Sequence, residues 1–154
     1  MKEMTPAEAL HRAAAYCSKS EHCTYEVFNK LMQWGIDEKD AAAIISHLLK
    51  EKFIDDARFC RSFINDKYKY NRWGRIKIIY ELRQKRIEES VYLSALDETI
   101  NDELYLENLT SLLQEKKRTI KGDNPLELKA KLFRFATGRG FESADISQAL
   151  KQIK

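Results

Sequence analysis

Between Lys67 and Arg86 the chain carries Lys67, Lys69, Arg72, Arg75, Lys77, Arg83, Lys85 and Arg86, with Glu81 as the one acid inside the run. Tyr68, Tyr70 and Trp73 are interleaved with these cations. Cations beside aromatic rings suit a polyanion with stacking bases, or an acidic protein groove. They do not suit bond-breaking chemistry. The other reading of such a run is a solvated helix face with Tyr68 and Trp73 in the core. A second, shorter basic cluster, Lys116 to Lys121, reads equally well as a solvated loop.

Residues that could support catalysis are present but badly spaced. Asp55 and Asp56 are adjacent, so on a helix they point about a hundred degrees apart and cannot readily share a proton or a metal. A helix N-cap followed by a favourable first-turn charge explains them better, with Arg58 and Arg61 near enough to pair locally. His11, His22 and His47 show no metal-binding spacing. Gly138-Arg139-Gly140 follows a helical stretch rather than preceding one, so it is a helix ending and not a phosphate cradle. No catalytic, metal or cofactor set is expected. Cys17, Cys23 and Cys60 are odd in number and lack a C-x-x-C pair, which argues for small apolar residues in a reducing compartment. The N-terminus lacks the apolar core of a signal peptide, and no apolar run approaches the ~20 residues of a membrane span. A soluble cytoplasmic protein is expected.

These residues must be positioned by helices. The chain has 154 residues, 44% apolar and 33% charged, with 5 glycines and 2 prolines. That is a globular composition poor in turn formers. Thr5-Pro6 opens one helix, running to about Cys17. A second covers about Thr24 to Trp34 and closes at Gly35, and Asp37 caps a third. Val27, Phe28, Leu31, Ile36, Ile44 and Ile45 then recur 51 positions later as Ile78, Ile79, Leu82, Ile87, Ala95 and Leu96. They recur again 54 positions further on as Leu132, Phe133, Ala136, Phe141, Ala149 and Leu150. Helix starts are expected at Asp55, at Asn101-Asp102 and at Asn124-Pro125.

The reading is an all-α, elongated array of three tandem three-helix repeats, at 1–53, 54–100 and 101–154. Phe28, Ile79 and Phe133 are expected to be equivalent buried positions, costing about 2–5 kcal/mol each when cut to Ala. On the basic helix, Ile76, Ile79 and Leu82 are expected inward, with Tyr80 part of the same apolar pattern. The net charge is only +3. Acids slightly outnumber bases in residues 1–53, so the excess of positive charge lies in the other two repeats.

The middle repeat resembles the RecX family, bacterial regulators of the RecA recombinase. The carrying residues are Phe53-Ile54-Asp55-Asp56-Ala57-Arg58-Phe59, then Trp73-Gly74-Arg75 with Ile79, Glu81-Leu82 and Gln84-Lys85-Arg86-Ile87. The likeness extends over nearly the whole chain. It departs at Arg86, where the family usually has Gly, and at Cys23, where a capping Ser is common; there Thr24 is expected to take over the cap. Ser20 and Thr24 stand at places often basic in the family.

The resemblance implies a monomeric, non-enzymatic modulator acting in DNA repair, recombination and the SOS response. It would bind RecA and the RecA–single-stranded DNA filament, with weak direct DNA binding in addition, and depress ATPase and strand-exchange activity. Expected contact residues are Arg58, Arg61, Lys67, Lys69, Arg72, Trp73, Arg75, Lys77, Arg83, Lys85 and Arg86. Reversing Arg72, Arg75 and Lys77 to Glu is expected to leave stability nearly unchanged. The alternative is an independent helix-turn-helix-like transcription regulator, reading bases with the helix at 75–86.

Overall fold

A computed structural model describes residues 3–153. Among them are nine α-helices and no strand: α1 Pro6–Lys19, α2 Thr24–Gln33, α3 Glu38–Lys50, α4 Asp56–Lys69, α5 Arg75–Gln84, α6 Glu89–Thr99, α7 Asp102–Lys117, α8 Pro125–Gly138 and α9 Ser143–Gln152. The starts follow local chemistry. The Thr5, Asp37, Asp55, Asn101 and Asn124 side chains each accept a hydrogen bond from a backbone N–H in the first turn they precede, satisfying donors that a helix leaves open.

The helices form three bundles of three, in each of which the first helix packs on the third and the second closes the bundle. The accessible surface is 9992 Å², against about 8,100 Å² expected of a compact globule of 18.1 kDa. A chain of this mass exposes that much only if its units are strung out in an array.

The recurring apolar series is a recurring core. Val27, Ile78 and Leu132 are buried, as are Leu31, Leu82 and Ala136, and Ile36, Ile87 and Phe141. Phe28, Ile79 and Phe133 are equivalent but only half-buried. That corrects the expectation for them, and the full cost of truncation belongs to their neighbours Val27, Ile78 and Leu132. The turn after each second helix also recurs. Gly35, Arg86 and Gly140 all adopt left-handed φ, at 83°, 57° and 93°. The chain therefore keeps this ending even where the residue is not glycine.

The buried side chains fall into two clusters. One contains the first bundle together with Ile54. The other runs continuously through the second and third bundles and includes Cys23, which reaches in from the start of α2. All three cysteines are buried and unpaired. Burial pushes the Cys23 thiol up to about 11 and the Cys60 thiol to about 12, so both are inert small apolar groups.

Candidate functional site: the basic turn and its two flanking junctions

The basic stretch occupies the end of α4, the turn at residues 70–74, and α5. Its first task is structural. The early N–H groups of α5 have no side-chain cap. They are satisfied from the third bundle instead. Gly74 N–H donates to Arg139 O at 2.8 Å, Arg75 N–H to the Tyr105 hydroxyl at 2.9 Å and Ile76 N–H to Gly140 O at 2.9 Å. A Cβ on Gly74 would lie 2.4 Å from Gly140 O, and one on Gly140 would lie 2.4 Å from Lys77 Cβ. Only glycines permit two backbones this close.

Arg75 lies 3.9 Å above the Tyr105 ring and pairs with Asp102 and with Glu142, the latter at 3.3 Å. The Tyr105 hydroxyl donates to Glu142, and burial followed by that bond pushes its pKa strongly upward. Arg72 pairs with Glu115 of α7, and the Asn108 amide donates to the Tyr68 hydroxyl at 2.7 Å.

The other end of α5 meets the first bundle. Lys85 pairs with Glu26 at 2.9 Å. Asp56 accepts from Thr24 N–H at 2.8 Å and from its hydroxyl at 3.0 Å. Arg58 pairs with Glu21 and donates to the carbonyls of Lys52 and Phe53. Burial raises the Glu26 pKa, but the bonds from Lys85 and Cys23 N–H outweigh it and hold the carboxyl below its ordinary value. Lys85 is displaced upward by the same pair, against the opposing effect of burial.

Two local expectations change here. Arg58 and Arg61 do not pair with Asp55 or Asp56: Arg58 crosses to Glu21, and Arg61 lies 3.7 Å from Glu98. Thr24 does not replace the α2 cap, because its hydroxyl is committed to Asp56. Cys23 remains the N-cap, and Glu26 still accepts from its N–H at 3.2 Å.

The eleven basic-face residues thus divide. Arg58 and Lys85 hold the first junction, and Arg86 stacks 5.1 Å over Tyr25 beside them. Arg72 and Arg75 hold the second. Reversing Arg75 would set its new carboxylate against Asp102 and Glu142, so the expectation of unchanged stability fails for that variant. Trp73 is half-buried between two ammonium groups, Lys67 Nζ at 5.0 Å and Lys77 Nζ at 4.5 Å from its ring. Lys69 and Arg83 are exposed, with no ion-pair partner among the described residues.

Beside them lies an apolar surface that the sequence reading turned inward. Ile76 is 54% exposed and Tyr80 59%, with Tyr70 at 79% on the turn. The inward residues of α5 are Ile78 and Leu82. The repeat held the signal for Tyr80, since its counterparts are Asn29 and Arg134, both polar. The shorter cluster at 116–121 splits as well: Lys116 lies 4.8 Å over the Phe135 ring, and the Lys121 carbonyl accepts from Lys131. Among the described residues no His, Cys, Asp and Glu group could hold a metal, and no helix is long and apolar enough to cross a membrane.

Three family models match in tandem: the first three-helix domain of RecX at residues 9–48, the second at 55–96 and the third at 102–150. The regulatory protein RecX of Vibrio parahaemolyticus is 35% identical over 133 residues, covering 86% of this chain and 83% of that protein. The regulatory protein RecX of Prosthecochloris aestuarii is 30% identical over 153 residues, covering 99% and 98%. The chain belongs to the RecX family. It shares the fold of a crystal structure of RecX from Lactobacillus salivarius, at a TM-score of 0.87 and 21% identity, over 96% of both chains. It is likewise similar to a second RecX crystal structure at 0.87 and 23%, over 95% of this chain and 73% of that one. Within this RecX-family chain, the Trp73-Gly74-Arg75 motif is the junction itself: Gly74 allows the backbone approach and Arg75 binds the next unit's acids.

Proposed function

We propose that the protein is a non-enzymatic, cytoplasmic modulator that binds, as a monomer, the RecA recombinase and its filament on single-stranded DNA, and depresses ATPase and strand exchange. Membership of the RecX family carries this reading. The elongated array supports it, because an extended partner needs an extended surface. We further propose that contact centres on the free cations of the middle unit, Lys69 and Arg83, with the Lys67–Trp73–Lys77 stack and the exposed Ile76 and Tyr80. Arg58, Arg72, Arg75 and Lys85 act by holding the units in the alignment that presents this face, while Arg61 and Arg86 flank it.

The transcription-regulator alternative is disfavoured by one feature. A recognition helix reads bases with its N-terminal residues, and those of α5 are tied to Tyr105, Arg139 and Gly140.

The deciding measurement is binding of the purified protein to RecA–single-stranded DNA filaments, free RecA and naked DNA at several salt concentrations. Filament binding that weakens with salt is expected. Lys69→Glu with Arg83→Glu should lower filament affinity by about tenfold or more, with the circular dichroism spectrum unchanged, since both side chains are exposed and unpaired. Sequence-selective duplex binding without filament affinity would reject the proposal.

A further inference from the structure

Each junction places the same position of one unit against the same position of the next. Thr24 at the start of α2 bonds to Asp56, the first residue of α4. Arg75 at the start of α5 pairs with Asp102, the first residue of α7. The repeat assigns Lys129 of α8 as the third member of this set, with Phe133 matching Phe28 and Leu150 matching Ile45. In the first unit the groove at Thr24, Phe28 and Ile45 is walled on one side by Asp56, Arg86 and Val91 of the second, around a cavity of about 410 Å³. In the third unit the corresponding groove, about 700 Å³, lies open between α8 and α9. Among the described residues nothing from another unit lines it.

The chemistry of this groove differs from that of its first-unit counterpart, which Asp56 and Glu88 line. Phe133 and Leu150 form the floor, and Leu126, 78% exposed, extends it. Lys129, Arg134 and Lys151 stand around it, and no acid lines it. No side chain of the three makes an ion pair or hydrogen bond among the described residues, whereas Arg58, Arg61, Arg72, Arg75 and Lys85 of the middle unit each do. α8 is also longer, 14 residues against 10 in α2 and α5. Its extra first turn adds Leu126 and takes Lys129 N–H into the helix. A visiting acid would therefore meet side-chain ammonium and guanidinium groups instead of an open backbone donor.

We infer that the α8–α9 groove is a docking site for an acidic amphipathic helix of a partner protein: apolar side chains on the Phe133–Leu150 floor, Asp or Glu at its first turn and flanks against Lys129, Arg134 and Lys151. The two internal junctions are the precedent on this same face, each supplying an aspartate from the first position of a helix. A second copy of this chain fits less well, because its α1 begins Pro6-Ala7 with no acid at the first position, and its first-turn acid, Glu8, is held in the capping box by Thr5 N–H. The face between Leu126 and Arg134 spans about 12 Å at 1.5 Å per residue, room for two turns of a bound helix and anchors at i and i+4.

The test uses a labelled synthetic helix of about fourteen residues with Asp at its start, Leu at helical spacing and Glu between, and a counterpart with Lys at every acid. Fluorescence anisotropy should show the acidic helix binding at least about tenfold more tightly than the Lys version. Lys129→Glu, Arg134→Glu and Lys151→Glu together should abolish that preference. Leu126→Ser alone should weaken binding several-fold, and it decides the matter if the triple variant fails to fold. Lys69→Glu with Arg83→Glu should leave binding unchanged. Equal binding of both peptides, retained binding by the groove variants, or equal loss in the Lys69–Arg83 control would overturn the inference. So would self-association in sedimentation that disappears in the groove variants without any peptide binding, which would make this face a contact between copies.

Discussion

At the first junction Thr24 meets Asp56, Lys85 meets Glu26 and Arg58 meets Glu21. At the second, Arg75 meets Asp102 from the equivalent position, but two further layers are added. Backbone donors of α5 bond directly to Arg139 and Gly140 carbonyls, and Tyr105 carries a ring and a hydroxyl into the contact. The cores differ accordingly: continuous across the second junction, and divided at the first apart from Cys23 and Ile54, each buried in the other unit's cluster. Side-chain ion pairs near a surface stabilise weakly and depend on salt and pH, whereas buried backbone bonds and apolar contact do not. The molecule therefore joins its second and third units by backbone bonds and a shared core, and its first unit mainly by polar side chains. The first junction is accordingly the more sensitive of the two to salt and pH.

The sharpest way to break this comparison is at the glycines. Gly140→Ala places a Cβ against Lys77 and forces a left-handed alanine, and should cost about 3 kcal/mol or more, lowering the melting temperature by roughly 6–12 °C. Gly35 holds the same position in the first unit with nothing within 4 Å of a Cβ. Gly35→Ala should cost only about 1–2 kcal/mol of backbone strain. Equal costs would show that the close approach at the second junction contributes nothing.

Next in size is Tyr105→Phe. Tyr105 is 1% exposed, and losing its hydroxyl leaves Arg75 N–H and Glu142 short of a partner, at about 1–3 kcal/mol. Thr24→Val at the first junction should cost about 0.5–1.5 kcal/mol, because Thr24 is only half-buried. Paired urea titrations of the two variants measure the difference, and a larger effect at Thr24 would reverse the ranking of the junctions.

Acid should separate the units. Glu26 titrates below its ordinary value of 4.5 in the folded protein, so its contribution is present above 4.5 and is lost as pH falls through the lower folded value. Asp145 has the opposite sign. Burial and then the nearby Glu142 carboxylate raise it above 3.8, so its contribution is full below 3.8 and fades as pH rises through the folded value. Lowering pH from 6 to 3 therefore weakens the first junction while easing a strain in the third unit. Single-tryptophan variants read this directly, with Trp34 reporting on the first unit and Trp73 on the second junction. The Trp34 transition should move to lower urea more than the Trp73 transition; coincident shifts would mean one cooperative block.

The smallest expected effect is at Arg86. Glycine would relieve a left-handed backbone worth about 1–2 kcal/mol, but it removes the guanidinium stacked on Tyr25, worth about 0.5–1 kcal/mol at an exposed site. Arg86→Gly should change stability by under about 1 kcal/mol in denaturant titration. A loss of several kcal/mol would mean that this arginine pins the first junction.

Local patterns along the chain were enough to determine the helices, most of their caps and the threefold repeat, because spacing, capping and turn chemistry act within a few residues; the α2 cap escaped them because Thr24 is bonded to Asp56, 32 residues away. Asp55, Asn101 and Asn124 cap where their side chains predict, and Val27, Ile78 and Leu132 recur because each bundle needs the same filling. The roles of the cations were not legible there. Lys69 and Arg75 read alike in a basic run, yet one is free and the other is bound to acids 27 and 67 residues away in sequence. Ile76 and Tyr80 looked inward by helical spacing, but α5 has an apolar residue at too many positions for spacing alone to choose its buried face. Only tertiary packing decides both: α5 rests on α4 and α6 through Ile78 and Leu82, and its start is seated on the third unit by the Gly74–Gly140 approach, the Tyr105 hydroxyl and the two carboxylates that meet Arg75.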